Sequence, residues 1–266
     1  MRYAINCPDV GEPSDLVDFA VAAETHGWDG FFLWDHLHLE RGMRLDVVDP
    51  WVVLGAIARV TSTIRLGTLI TPVPRRRPWK LAKEIVTLDR LSEGRVIIGA
   101  GLGFPPGDEF SAFGEDADDR VRAGKLDEGL AILEQCLRGG PVSFRGEHFS
   151  VDADLNPGAV QQPRPPIWIA ATAPNRAPLA RAARFDGVMP IGATGFPATP
   201  AELAGYLGDL ARRDRYDVIA PWHPDVTDPN DYAEVGATWL VESTWPEDDW
   251  LAELRDRTLS RALPRS

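Results

Sequence analysis

Residues 64–100 read IRLGTLITPVPRRRPWKLAKEIVTLDRLSEGRVIIGA. An apolar run from Ile64 to Ile70 leads through Thr71-Pro72-Val73-Pro74 into a stretch that reads as helix from about Pro78 to Leu91. A second apolar run follows from Arg95 to Ala100. Strands buried on both faces read as continuous apolar runs, and strand, helix and strand in succession imply parallel pairing with right-handed crossovers.

The rhythm repeats in both directions. Upstream, the run Arg2 to Cys7 precedes a helix opening at Ser14, a residue type that caps free amides, with Leu16, Phe19, Ala20 and Ala23 at the spacing of one helical face. The run Gly30 to Trp34 precedes a helix starting near Asp49-Pro50, with proline at a first-turn position. Downstream, the fourth run is followed by a helix from about Asp118 to Arg138. Strand-type alternation from Val142 to Val151, around Gly146, then predicts a small hairpin outside the repeat. The remaining runs are Ile167 to Ala171, Gly187 to Ile191, Tyr216 to Ala220 and Ala237 to Val241. Their helices are expected near Pro174 to Arg184, Pro200 to Arg213, Asn230 to Val235 and Pro246 to Leu263. Eight such units predict one α/β domain over residues 1–266, a closed (β/α)8 TIM barrel with a small β-hairpin insertion after the fourth unit. An open doubly wound sheet is the alternative, reached by miscounting one or two units.

Composition narrows the function. The 266 residues are 44% hydrophobic and 26% charged, an ordinary globular balance. Forty acidic against 28 basic residues give a net charge of −12, which repels phosphate backbones and anionic lipid, so neither nucleic acid nor membrane is an expected partner. Two cysteines, Cys7 and Cys136, make no disulfide framework, no signal peptide is visible, and no apolar run approaches the roughly 18 residues of a membrane span. A cytoplasmic location is expected.

Barrel enzymes carry their chemistry at the carboxyl ends of the strands. The residues expected there include Cys7, Trp34-Asp35-His36, Thr68 to Thr71, Gly99 to Gly103, Ala171-Thr172, Trp222-His223 and Glu242 to Trp245. Their glycines, tryptophans and histidines suit a planar, largely apolar ligand with few polar contacts. His36 is the candidate acid or base, with Asp35 able to fix its tautomer; the bland reading has Asp35 capping a turn and His36 packing under a loop. His36 and His38 also spell H-x-H, a pair that could ligate metal, although further ligands are scarce. Gly99-Ala100-Gly101-Leu102-Gly103 lacks the third glycine of a dinucleotide fingerprint, and serves either a flat ligand or a tight turn. Thr172, entering a helix, can hold a phosphate or merely cap. Arg75-Arg76-Arg77 reads as an anion clamp or as a solvated helix entrance.

Taken together, these phrases resemble the bacterial luciferase-like superfamily of flavin- and deazaflavin-dependent oxidoreductases. The resemblance rests on Gly27 to His36, Arg65-Leu66-Gly67-Thr68 with Thr71-Pro72, Leu88 to Arg95, Gly99 to Gly103, Pro165 to Ile169, and Ala183 with Asp186-Gly187. It implies reduced FMN or the 8-hydroxy-5-deazaflavin coenzyme in the mouth of the barrel, with Asp35 and His36 beside the ring and His36 catalytic. It also implies a non-prolyl cis peptide near Thr68-Leu69 behind the ring. Cofactor contacts are implied at Asp35, Thr68, Leu69, Thr71, Gly101, Gly103 and, at the phosphate, Ala171 and Thr172. Cys7, Trp34, Phe104, Trp222, His223 and Trp245 are the expected substrate wall. Two departures stand out: Phe104 occupies a position where some deazaflavin-dependent dehydrogenases carry glutamate, and the chain is short for the family after the sixth strand, where a substrate lid is often found.

The expected activity is monooxygenation with dioxygen, or hydride transfer, on a small organic molecule, with a separate flavin reductase as a possible partner and a homodimer as a plausible state. Two rivals remain: a metal-dependent barrel hydrolase built on His36 and His38, and a flavin-binding homologue without turnover.

Overall fold

A computed structural model of the chain describes residues 1–192, 199–208, 210 and 214–264. Nine strands hydrogen-bond in parallel in the order β3-β2-β1-β11-β10-β9-β8-β5-β4. They are β1 (Arg2–Cys7), β2 (Gly30–Leu33), β3 (Arg65–Thr68), β4 (Thr71–Pro72), β5 (Ile98–Gly101), β8 (Ile167–Thr172), β9 (Gly187–Ile191), β10 (Asp217–Pro221) and β11 (Trp239–Ser243). The two ends of that order, β3 and β4, are halves of one expected strand separated only by Leu69 and Ile70. A parallel bridge between Leu66 and Val96 draws the ends together, so the sheet curls into a nearly closed barrel with eight strand positions. At this seam Gly67 has no substitute: a Cβ there would lie 1.8 Å from the Ile97 carbonyl oxygen.

Between the strands run the helices α1 (Pro13–Thr25), α2 (Pro50–Val60), α3 (Pro78–Leu91), α4 (Pro106–Glu109), α5 (Asp119–Arg138), α6 (Arg176–Ala182), α7 (Pro200–Leu207), α8 (Pro229–Glu234) and α9 (Trp250–Leu259). Asp49 caps α2 and Asp118 caps α5 through their carboxylates. Ser14 does not cap α1. That helix begins one residue earlier, at Pro13, whose fixed backbone angle suits a first turn. The hairpin strands β6 (Gly140–Arg145) and β7 (Ser150–Leu155) form a separate antiparallel pair. The helix expected to reach Arg213 ends at Leu207, and residues 209 and 211–213 lie outside the described ones.

Side-chain alternation sorts the barrel into two apolar layers. Ala4, Phe32, Trp168, Met189, Ile219 and Trp239 belong to one cluster drawn from the strands, which is the lumen. Tyr3, Ile5, Phe31, Leu33, Ile169 and Leu240 belong to the larger cluster shared with the helices. Three aromatic rings form the lumen floor: Phe32–Trp168 at 5.5 Å, Phe32–Trp239 at 6.3 Å and Trp168–Trp239 at 5.2 Å between centroids. Burying Phe32 alone contributes about 2–3 kcal/mol. The floor thus plugs the barrel, as side-chain layers do in this fold.

Candidate active site

Above the floor, the next inward-facing positions carry smaller side chains. Asn6 follows Ala4 on β1, Gly101 follows Gly99 on β5, Ala170 follows Trp168 on β8, and Ser243 follows Val241 on β11. Asn6 and Ser243 are register partners, and the Ser243 hydroxyl donates to the Asn6 carbonyl at 2.6 Å. The inward positions at the carboxyl ends of the strands are thus less filled than the floor, and this end of the lumen is the bowl. Trp34, two residues after Phe32, stands on its β2 side.

Leu69 reaches into the lumen, and its carbonyl accepts from Asn6 Nδ2 at 3.0 Å. The cis peptide is Leu69-Ile70, one bond later than expected near Thr68-Leu69. The Leu69 amide still donates to Leu33, so β-type pairing with β2 runs one residue further than the strand itself. A Cβ added at Gly101 would meet the Ile70 side chain at 2.4 Å and Ala170 at 3.2 Å. Gly103, at φ +89, turns the chain against Pro72 and Phe110.

Asp35 does not touch the imidazole of His36. By alternation it points outward, and its carboxylate accepts from Arg75 Nη2 (2.9 Å), Arg76 Nη2 (2.7 and 2.9 Å), Thr71 Oγ1 (2.8 Å) and Trp51 Nε1 (3.3 Å). Thr68 and Thr71 share a hydroxyl–hydroxyl bond of 2.6 Å in the same outward network. The arginine triplet is accordingly neither an anion clamp nor a solvated entrance at Arg75 and Arg76. Their side chains are only 6% and 18% exposed and neutralise Asp35.

The carboxylate that faces His36 is Glu109, at the end of α4. Its Oε1 lies 3.5 Å from His36 Nδ1, it pairs with Arg75, and it accepts from the backbone amides of Leu37, His38 and Leu39. Burial pushes the Glu109 acid up, but the bond to His36, the Arg75 guanidinium and the Leu37 amide outweigh it and bring it down to about 2. These bonds hold a loop in which Leu39 sits at φ +62, a left-handed conformation that costs a leucine about 1–2 kcal/mol. A second carboxylate, Asp9, accepts from the His36 amide at 2.8 Å while its Oδ1 is buried without a partner. Burial is the main reason its pKa rises from 3.8 to about 7, against the pull of His36 and with a push from Asp35. The His36 ring is 19% exposed, and its buried Nδ1 lies 3.5 Å from Glu109 Oε1 without a hydrogen-bond partner.

The other expected wall residues divide sharply. Trp34 packs edge-on to His36 and against Trp245, each at 5.6 Å between centroids. Phe104 is 71% exposed beside Gly103. Cys7 and Trp222 lie elsewhere, because both face outward. Cys7 is fully buried among the helices, where burial pushes its thiol up, and Trp222 packs on Tyr3 and Arg261 while donating to the Thr227 carbonyl. His223 sits on the exposed loop after β10, 4.0 Å from Asp225. Ala171 also faces outward, whereas Thr172 is exposed at the end of β8. His36 and His38 are not a metal pair. His38 Nε2 donates to the Asp108 carbonyl at 2.8 Å, its ring packs on Phe113, and among the described residues no three His, Cys, Asp or Glu side chains converge.

A family model described as luciferase-like monooxygenase matches residues 1–262. The chain belongs to that family. An F420-dependent glucose-6-phosphate dehydrogenase of Nakamurella multipartita is 34% identical over 174 residues, 61% of this chain and 48% of that protein. An uncharacterized protein of Sinorhizobium fredii is 35% identical over 62% of this chain and 46% of its own length, so the chain spans about half the length of these curated relatives. Among solved structures, an F420-dependent secondary alcohol dehydrogenase with an F420-acetone adduct superposes with a TM-score of 0.77 at 17% identity, over 97% of this chain and 98% of the other. The F420-dependent tetrahydromethanopterin reductase of Methanopyrus kandleri gives 0.75 at 19%, over 98% of both. At such identities these likenesses establish the barrel and nothing finer.

Within this luciferase-like chain, the phrase Leu88 to Arg95 is a structural clamp at the opposite end of the barrel. The Arg95 guanidinium donates to the carbonyls of Ala58, Thr61, Ile64 and Ser92, and Asp89 accepts from Val160 and Gln161. In this fold that end serves stability. Among the described residues no helix is long and apolar enough to cross a membrane.

Proposed function

We propose that the chain is a deazaflavin-dependent oxidoreductase that moves a hydride between coenzyme F420 and a small organic molecule in the bowl above the aromatic floor. The observation that carries the reading is the imidazole of His36 held beside the ionised Glu109 carboxylate, with Nδ1 3.5 Å from Oε1 and buried without a hydrogen-bond partner. Support also comes from relatives about one-third identical in sequence that are named F420-dependent dehydrogenases.

The residues present fit the coenzyme. The small inward side chains at Asn6, Gly101, Ala170 and Ser243 leave room for a flat ring, and the buried, unpartnered Asn6 Oδ1 suits a ring N–H or hydroxyl donor. Ile70 and Gly101 would flank the ring, and the amides of Ala171 and Thr172 would hold its phosphate. When bound, the coenzyme supplies a two-electron hydride acceptor or donor. The Glu109 carboxylate, 3.5 Å from Nδ1, favours a proton on that nitrogen, so Nε2 would accept the hydroxyl proton when an alcohol is oxidised and return it in the reverse direction. Trp34, edge-on to His36, covers one side of the imidazole.

Titration of the protein with F420 and with FMN, each oxidised and reduced, tests the reading. Tighter binding of F420, followed by hydride transfer that depends on His36, is the expected result. Preference for reduced FMN with oxygen uptake would replace hydride transfer by monooxygenation, and binding of neither would end both.

A further inference from the structure

Trp245 stands at the rim with 45% of its surface exposed, and Phe104 is more exposed still. Exposed large aromatics rimming a depression mark a place where a ligand completes the burial. The rings are also ordered. Trp245 leans on Trp34 at 57° and 5.6 Å, and Trp34 meets His36 edge-on at the same centroid distance. An apolar group laid on Trp245 and Trp34 thereby brings its neighbouring carbon to the imidazole.

Charge points the same way. Three guanidinium groups on the β4 and β5 side of the bowl are directed into the protein: Arg75 into Asp35 and Glu109, Arg76 into Asp35 and Glu84, and Arg122 onto the Leu102 and Gly103 carbonyls and Asp119. A phosphate ester on this side of the bowl would find the terminal nitrogens of these groups already engaged by carboxylates and carbonyls, and would lie near the ionised Glu109 beside His36.

We propose that the Trp34–Trp245 pair is the substrate wall and selects an uncharged aryl or branched apolar alcohol or ketone over a sugar phosphate. The inference rests on the oxidoreductase reading for its chemistry, but its binding does not depend on the coenzyme. The test measures binding of acetophenone and of glucose 6-phosphate by calorimetry, with and without F420, to the intact chain and to Trp245→Ala. Acetophenone is expected to bind and glucose 6-phosphate not to, and Trp245→Ala is expected to weaken acetophenone about tenfold while leaving the F420 affinity unchanged. Trp245→Phe should recover most of the loss, which separates stacking from a folding defect. Preferred binding of glucose 6-phosphate, or acetophenone affinity indifferent to Trp245, overturns the proposal. Acetophenone binding without any F420 binding upholds the wall and overturns the coenzyme reading instead.

Discussion

Replacing Asp9 by asparagine tests the electrostatics under His36. Asp9 is fully buried, its Oδ2 accepts from the His36 amide, and its Oδ1 has no partner. Burial raises its pKa from 3.8 to about 7. The native state therefore holds a proton through a range in which the unfolded chain has released it. The contribution is fully present below pH 3.8, falls as pH climbs towards 7, and levels off above that. At about 1.4 kcal/mol per unit, with rounding near the folded pKa, the loss between pH 5 and pH 8 comes to about 2–3 kcal/mol. Asparagine keeps an acceptor for the His36 amide and cannot ionise. Relative to the parent, Asp9→Asn should accordingly be more stable by about 1.5–2 kcal/mol at pH 5 and by about 4 kcal/mol at pH 8, a gap that widens by about 2–3 kcal/mol between the two. Glu109 does not confuse the measurement, because its pKa of about 2 places its own loss of stability at the acid end, as pH falls. Urea unfolding at both pH values, with a common slope, reads the difference from the midpoints. Parallel pH profiles for the two proteins would refute the reasoning.

Four further outcomes follow from the same geometry. His36→Ala should lower kcat by about 100-fold or more and leave the F420 dissociation constant nearly unchanged, as single-turnover and fluorescence titrations would show. Glu109→Gln removes the ionised acceptor of Arg75 and of the loop amides; it should cost about 3 kcal/mol in urea unfolding, and a variant as stable as the parent would contradict the network. Gly101→Ala should fold, because Ile70 can rotate away from the new Cβ, yet bind F420 about tenfold more weakly, whereas Gly67→Ala, facing a backbone oxygen at 1.8 Å, should abolish soluble barrel.

The barrel was legible because its signal is redundant. Each strand is a continuous apolar run and each crossover begins with a recognisable turn or cap, so an error at a single end, such as Ser14 against Pro13, leaves the count of units intact. The broken third strand was also readable in part. Thr71-Pro72-Val73-Pro74 signals a turn, but no local pattern says that β4 pairs with β5 while β3 pairs with β2. That division is a property of closure.

Legibility of the site stops at a different point, and the reason is parity. Position along the chain told which residues stand at strand ends, but a side chain there faces the bowl only when it shares the face of the lumen residues. Counting by twos from Phe32 would have kept Trp34 inward and turned Asp35 outward; counting from Ala4 would have kept Asn6 and discarded Cys7; counting from Ile219 would have discarded Trp222. The rule needs only one lumen residue per strand, and the bulky run Phe31-Phe32 did not say which of the two was inside. Glu109 is a different kind of miss. Its partners, Arg75 and the amides of residues 37–39, are about 34 and 70 residues away in sequence, and the pairing exists only once the loops after β2, β4 and β5 fold over the same rim. The one local clue is that an acid at the end of a four-residue helix has no helical reason to be fully buried. A buried acid on such a scrap of structure is held by its partners, and here those partners are the guanidinium and the loop that place the imidazole.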